Sequence, residues 1–400
     1  MGTYYYASHT YQIVKTAMTW AAAKAWAEGQ GGHLAYITSA NENQALVSMT
    51  QLTTGLDMAP SASDGGGARY LWLGGSDGAV EGTWRWGDGT LVTSGYSNWG
   101  AGALGVEPDD YGGVQDAMAF GLQSWPQPSG GIGVAYKWND VNPANSLYFV
   151  LEWDYIRGTS GADTISRTGG ETVYGLEGND IITFTSGANY LRGDAGDDSV
   201  SGGTGFDDIN GNMGNDTLRG NDGEDWVVGG RDNDLLFGDA AFDIVYGNMG
   251  ADTLYGNDGD DWVVGGRDND RLFGDAAFDI AYGNMGNDTV DGGAGNDWVR
   301  GGQGDDSVQG GAGDDWVWGD RGNDTISGGA GADLFYSFAG AGIDRITDFS
   351  FAEGDRLKLE GAPSRSVSQV GADVVVDMGN GDQVILVGVT LASLGSGWIT

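Results

Sequence analysis

The nonapeptide Gly256-Asn-Asp-Gly-Asp-Asp261-Trp-Val-Val264 decides the fold, because its arrangement recurs every nine residues without a slip from Gly175 to Tyr336. Eighteen consecutive units carry Asp or Asn at the sixth place, and only Asn189 departs from Asp. The eighth place is aliphatic almost throughout, from Ile182, Leu191 and Val200 onward, with Ala281 the smallest. Gly opens most units and usually returns at the fourth place. Such spacing predicts a six-residue Gly-rich turn and a three-residue strand, with the eighth side chain inward and the seventh and ninth outward. Two nonapeptides complete a coil, so residues eighteen apart stack about 4.8 Å from each other.

Carboxylates stacked at that spacing repel by roughly 1 kcal/mol per pair in water and about 3.5 at an effective dielectric of 20. The ladder therefore needs cations between its rungs. Carboxylate and carbonyl oxygens, with no Cys and no His among them, select calcium. The metal ligands expected here are Asp180, Asp198, Asp207, Asp216, Asp225, Asp234, Asp243, Asp252, Asp261, Asp270, Asp279, Asp288, Asp297, Asp306, Asp315, Asp324 and Asp333. The pattern Gly-Gly-x-Gly-x-Asp-x-aliphatic-x is that of the calcium-binding β-helix repeat. From Arg157 to about Leu359 the chain resembles the repeats-in-toxin (RTX) family, with the entry Gly158-Thr-Ser-Gly161-Ala-Asp163 and the exits Ile343-Asp-Arg-Ile-Thr-Asp348 and Glu353-Gly-Asp355. The resemblance implies bacterial type-I secretion, which reads a C-terminal signal and leaves the N-terminus uncleaved. The start Met1-Gly-Thr-Tyr-Tyr-Tyr agrees, having neither a basic n-region nor an apolar h-region.

A net charge of −39 argues against nucleic acid as a partner, and no apolar run is long enough to insert into a membrane. The charge is uneven: residues 1–152 hold 13 acids and 5 bases, and the remainder 44 and 13. The absence of Cys excludes disulfides and thiol chemistry. Residues Gly211–Tyr246 and Gly247–Tyr282 differ at only five places, a duplication of two whole coils, which is the unit a solenoid can gain without losing phase. Four units inside it have Asp232, Ala241, Asp268 and Ala277 at the fourth place, where weaker or altered calcium sites are expected.

The first 153 residues are different material. Helices are expected over Met18–Glu28 and Ser39–Leu52, the second opened by the capping-box residues Ser39-Ala-Asn-Glu42. Then come Leu71-Trp72-Leu73-Gly74, Asn98-Trp99, Glu107-Pro-Asp-Asp110, Trp138-Asn139-Asp140 and Tyr148-Phe-Val-Leu-Glu152. Glu107 and Asp109 flank a proline, and a cis bond there would aim both at one point. In this order the motifs resemble the C-type lectin-like fold from about Tyr11 to Trp153. The resemblance implies that Glu107, Asp109, Asn139 and Asp140 hold calcium and also bind sugar, with Gln115 a further calcium ligand. The family usually has Asn in place of Asp109 and an acid in place of Gln115, which blurs the sugar preference. Ala117 and Leu151 stand at common cysteine positions. His9 and His33 lack any catalytic context, so no enzyme is expected.

The expected architecture is an α+β lectin-like head over 1–153, an all-β parallel β-roll solenoid over 154–336, and a C-terminal β cap with the secretion signal over 337–400. The hairpin around Gly379-Asn-Gly-Asp382 belongs to that cap. The function expected is a secreted, extracellular or cell-surface lectin that takes Ca2+ and binds glycans. The alternative is an adhesive or structural protein whose head binds protein. On one roll face the outward seventh places read Trp226, Ile244, Trp262, Ile280, Trp298 and Trp316, against Thr217, Leu235, Thr253, Arg271, Thr289 and Ser307 on the other. A stripe of that size marks an interaction surface. Homo-oligomer formation or packing of the head on the roll is expected to cover it, with polysaccharide stacking next in line.

Overall fold

The computed structural model describes residues 3–6, 9–62, 68–79, 83–92, 96–99, 101–102, 105–106, 115–123, 135–361 and 365–400. They form two compact units, Met1–Arg157 and Gly158–Thr400.

The first unit is built on a sheet ordered Thr3–Tyr6, His9–Met18, Leu147–Trp153, Tyr70–Ser76, Ala117–Gly121, Trp138–Val141, with the short strand His33–Leu34 also paired to Leu147–Trp153. The helices are Trp20–Gly29 (α1) and Ala40–Leu52 (α2). Thr19 and Ser39 cap them through side-chain oxygens that accept from Ala22 and Glu42 backbone N–H groups. Glu42 reaches back as the capping box requires, but to the N–H of Thr38, one residue before the cap, at 2.7 Å. The core is aromatic: Trp72, Trp138, Tyr70, Phe120 and Phe149 are among its largest fully buried side chains. Ala117 and Leu151 are both fully buried, so apolar packing occupies these two positions.

In the second unit, consecutive strands alternate between two parallel sheets. One holds Asp207–Met213, Trp226–Arg231, Ile244–Met249 and Trp262–Arg267; the other holds Ser199–Thr204, Thr217–Asp222, Leu235–Ala240 and Thr253–Asp258. Register advances by eighteen, as in Trp226↔Ile244 and Val227↔Val245. All eighteen eighth-place side chains are buried to within 1% and fill the core. Two expectations need correction. The strands are six residues long, not three, running from the seventh place through the third place of the next unit, as in Trp226–Arg231. The eighth place is also not alone inside, because the sixth-place residue and the first-place Gly face inward too.

The glycines do two separate jobs. Gly256, at a first place, has no room for a side chain: a Cβ there would lie 2.6 Å from Asp261 Oδ2 and 2.8 Å from the Gly274 carbonyl of the next coil. Gly223, at a fourth place, is needed for its positive φ of 150°. Where the fourth Gly is replaced, Asp232, Ala241, Asp268 and Ala277 still adopt positive φ of 73–87°. The turn survives the substitution at a steric cost of about 1–2 kcal/mol for a residue with a Cβ.

Beyond the repeat, Leu334–Phe338 and Arg356–Glu360 extend one sheet. Ile343–Ile346, Asp382–Leu386, Asp373–Gly379 and Ser366–Val370 extend the other, the last two pairings antiparallel. The hairpin forms as expected from its turn residues. At the end of the chain, Leu357 donates its N–H to Trp398 O at 2.7 Å, which satisfies part of the first sheet's last edge.

Candidate metal centres and binding faces

Each sixth-place side chain of the roll is buried, 0–4% exposed. Its Oδ1 accepts the backbone N–H of the sixth-place residue one coil earlier: Asp225 N–H to Asp243 Oδ1 at 2.8 Å, Asp243 to Asp261 at 2.7 Å, Asp261 to Asp279 at 2.8 Å. The carboxylate ladder is thus also a backbone ladder. The second oxygen is different. Oδ2 of every one of these aspartates, from Asp180 to Asp333, is buried without a hydrogen-bond partner. Burial pushes Asp225 up to about 7 and Asp243 and Asp279 to about 8; the backbone N–H opposes the shift and neighbouring carboxylates add to it. Rows of inward oxygens that lack a proton donor or a cation are the donor set a hard divalent ion fits.

In the head, Gln115 lies just before the strand Ala117–Gly121, whose register sets Ala119 opposite Asn139 and Met118 opposite Asp140. Gln115, Asn139 and Asp140 are 2%, 2% and 0% exposed, the last two adjacent on the strand paired with Ala117–Gly121 and Gln115 two residues before that strand. Asn139 gives its amide N–H to Asp140 O at 3.1 Å, while its Oδ1 is buried without a hydrogen bond. Trp138 is wholly buried behind them, held by Nε1–H to Asn43 Oδ1 at 3.1 Å and edge-on to Trp99. Glu107 and Asp109 lie outside the described residues.

Sequence reasoning missed a second polar centre. Glu152, 1% exposed, accepts the Tyr36 N–H at 2.7 Å and lies 2.9 Å from Tyr11 Oη, whose single hydroxyl hydrogen is shared between Glu152 and Glu42. His9 and His33 both reach this centre. Only the pairing of three distant strands joins them, so no spacing along the chain could have shown it.

On the roll, Trp226, Trp262, Trp298 and Trp316 are 51%, 44%, 37% and 39% exposed, as their outward assignment requires. Trp298 and Trp316 stack at 5.0 Å, and exposed Phe206, Phe242 and Phe278 widen the face. The opposite sheet is less polar than its seventh places suggest. Its ninth places stack Phe237, Tyr255 and Phe273 at 5.1 and 4.9 Å.

Comparison with known proteins agrees with this division. Residues 16–150 match the lectin C-type domain, and segments between 152 and 335 match the RTX calcium-binding nonapeptide repeat. Ladderlectin of Oncorhynchus mykiss is 29% identical over 146 residues, 36% of this chain and 63% of that protein. C-type lectin domain family 10 member A of Homo sapiens is 29% identical over 147 residues, 36% of each chain. Both matches span less than two thirds of the relative. Among solved structures, the mouse scavenger receptor C-type lectin carbohydrate-recognition domain is similar at 23% identity and a TM-score of 0.28, covering 38% of this chain and 92% of that one. The chain therefore joins a lectin C-type domain to a run of RTX calcium-binding nonapeptide repeats, and calcium is its cofactor.

Proposed function

We propose that the chain is a secreted, calcium-dependent carbohydrate-binding protein in which calcium serves recognition in the head and folding in the roll. The observation that carries the recognition half is the buried Asn139, its Oδ1 without a hydrogen bond, beside Gln115 and Asp140 in a domain matching the C-type lectins. In this reading Glu107, Asp109, Gln115, Asn139 and Asp140 hold calcium. Open coordination positions on the ion take vicinal sugar hydroxyls, which Glu107, Asp109, Asn139 and Asp140 also hydrogen-bond. The sixth-place aspartates hold the roll's ions through Oδ2. Both matched families are non-enzymatic kinds, and no catalytic role is assigned. Among the described residues no helix is long and apolar enough to cross a membrane. We assign the protein to the cell exterior, reached by bacterial type-I secretion.

The second reading, an adhesive protein whose head binds protein, draws on the exposed Trp face. Trp and Ile alternate along it from Trp226 to Trp298, and Trp298 then stacks on Trp316, an exposed apolar row of the kind that marks an interaction surface. We assign this face to self-association. In calcium, the wild type should sediment as an oligomer and the Trp226→Ser, Trp262→Ser, Trp298→Ser triple variant as a monomer. A monomeric wild type would leave the face to a ligand such as polysaccharide.

A glycan array run in calcium and in chelator tests the main reading. Binding should appear in calcium alone and vanish in Glu107→Ala and Asp140→Ala, while the roll's calcium content stays unchanged. If the double variant keeps the same glycans, the site lies elsewhere; if the wild type binds none, the adhesive reading takes over.

A further inference from the structure

The chain has two histidines, and both arrive at the end of the strand Leu147–Trp153. Backbone register explains it. Tyr11 lies opposite Glu152 on one side, which brings His9 level with Asp154, and His33 lies opposite Glu152 on the other. His9 Nδ1 is 2.9 Å from Glu152 Oε1 and 3.3 Å from Asp154 Oδ1. His33 Nε2 is 3.1 and 3.2 Å from the two Asp154 oxygens, and its ring is stacked on Tyr36.

With a neutral His33 the proton inventory does not close. His33 Nδ1 sits 2.9 Å from the Leu34 carbonyl. A carbonyl can only accept, so Nδ1 must carry the hydrogen. The neutral ring then aims the Nε2 lone pair at a carboxylate, and two acceptors face each other unless a cation stands between them. His9 turns its Nδ1 to the same carboxylates, 2.9 Å from Glu152 Oε1 and 3.3 Å from Asp154 Oδ1. Glu42, joined to Glu152 through the Tyr11 hydroxyl, adds a third carboxylate to the same neighbourhood.

We propose that His9, Glu152 and Asp154, whose ligand atoms all lie within 4.8 Å of one another, form a site for one divalent transition metal of the zinc class, with His33 held against Asp154 as its outer partner, separate from the calcium systems of the chain. An imidazole nitrogen joined to carboxylate oxygens suits a borderline ion rather than calcium. Nitrogen and oxygen ligands about 2.0–2.2 Å from zinc lie roughly 3.3–3.6 Å apart in a tetrahedron. His9 Nδ1 lies 2.9 Å from Glu152 Oε1 and 3.3 Å from Asp154 Oδ1, and the three ligand atoms lie within 4.8 Å of one another, a range that brackets those separations. The Tyr36 N–H holds Glu152 from behind, and the Leu34 carbonyl orients His33 against Asp154, as outer partners of metal sites do. Asp154 is exposed, which leaves an entry path. A bound ion would pin His9–Met18 and His33–Leu34 to the last strand of the head.

The full chain, saturated with calcium and stripped of transition metals, is titrated with cobalt(II), whose visible absorption reports four-coordinate nitrogen ligation. One equivalent should give the intense tetrahedral band, and zinc should abolish it by displacement. His9→Gln and His33→Gln should each weaken cobalt binding by more than about tenfold, since even outer partners are worth 10–100-fold, with calcium content unchanged. Asp154→Asn serves as a third variant at an exposed position if either histidine variant fails to fold in calcium. A weak octahedral band, or binding undiminished by the variants, would overturn the site and leave protonated histidines as the cations.

Discussion

The two units bury polar groups to opposite ends. The head encloses scattered polar groups, among them Glu42, Gln115, Asn139, Asp140 and Glu152, within an aromatic core. The roll encloses one carboxylate in every nine residues, beside a core of one aliphatic side chain per unit. Such a core is too thin to offset chain entropy alone, so roll stability has to come from whatever completes Oδ2. Calcium is then expected to be dispensable to the head's fold and structural in the roll.

Single substitutions sharpen that contrast, starting with the largest effect. Asp261→Ala should lower the stability of the calcium-loaded roll by about 3 kcal/mol or more, because the Asp243 N–H loses its buried acceptor as an ion loses a ligand. Calorimetry in calcium measures it, and a loss under 1 kcal/mol would mean that the ladder is ornamental. Gly256→Ala should cost about 2–3 kcal/mol, since its Cβ meets both Asp261 Oδ2 and the Gly274 carbonyl. Ala241→Gly should raise the melting temperature slightly, up to about 1 kcal/mol, by relieving a φ of 87°. In the head, Gly29→Ala meets no atom within 4 Å and should change stability by less than about 1 kcal/mol.

Much of the roll was legible because periodicity reports register directly. The eighteen-residue coil, the aliphatic core and the outward Trp row all follow from the phase. The inward turn of Asp261 and Gly256 did not, because a nine-residue period gives spacing and not direction around a bend. Strand length was underestimated for the same reason: Gly at the first place suggests a turn, yet it lies in the strand and is Gly because a Cβ cannot fit there. The Phe237–Tyr255–Phe273 stack was hidden by attention to the polar seventh places beside it. In the head, motif order showed the strands and the Asn139-Asp140 pair. The meeting of His9, His33 and Glu152 depends on three strands remote in sequence, which no local pattern encodes.

Hydrogen exchange on the full chain, in calcium and then in chelator, tests the division most directly. The account predicts that chelation removes amide protection throughout the roll strands from Ser199–Thr204 to Thr325–Ala330, while Leu147–Trp153 and Tyr70–Ser76 keep theirs. Roll strands that stay protected in chelator would contradict the claim that cations at Oδ2 hold this unit together.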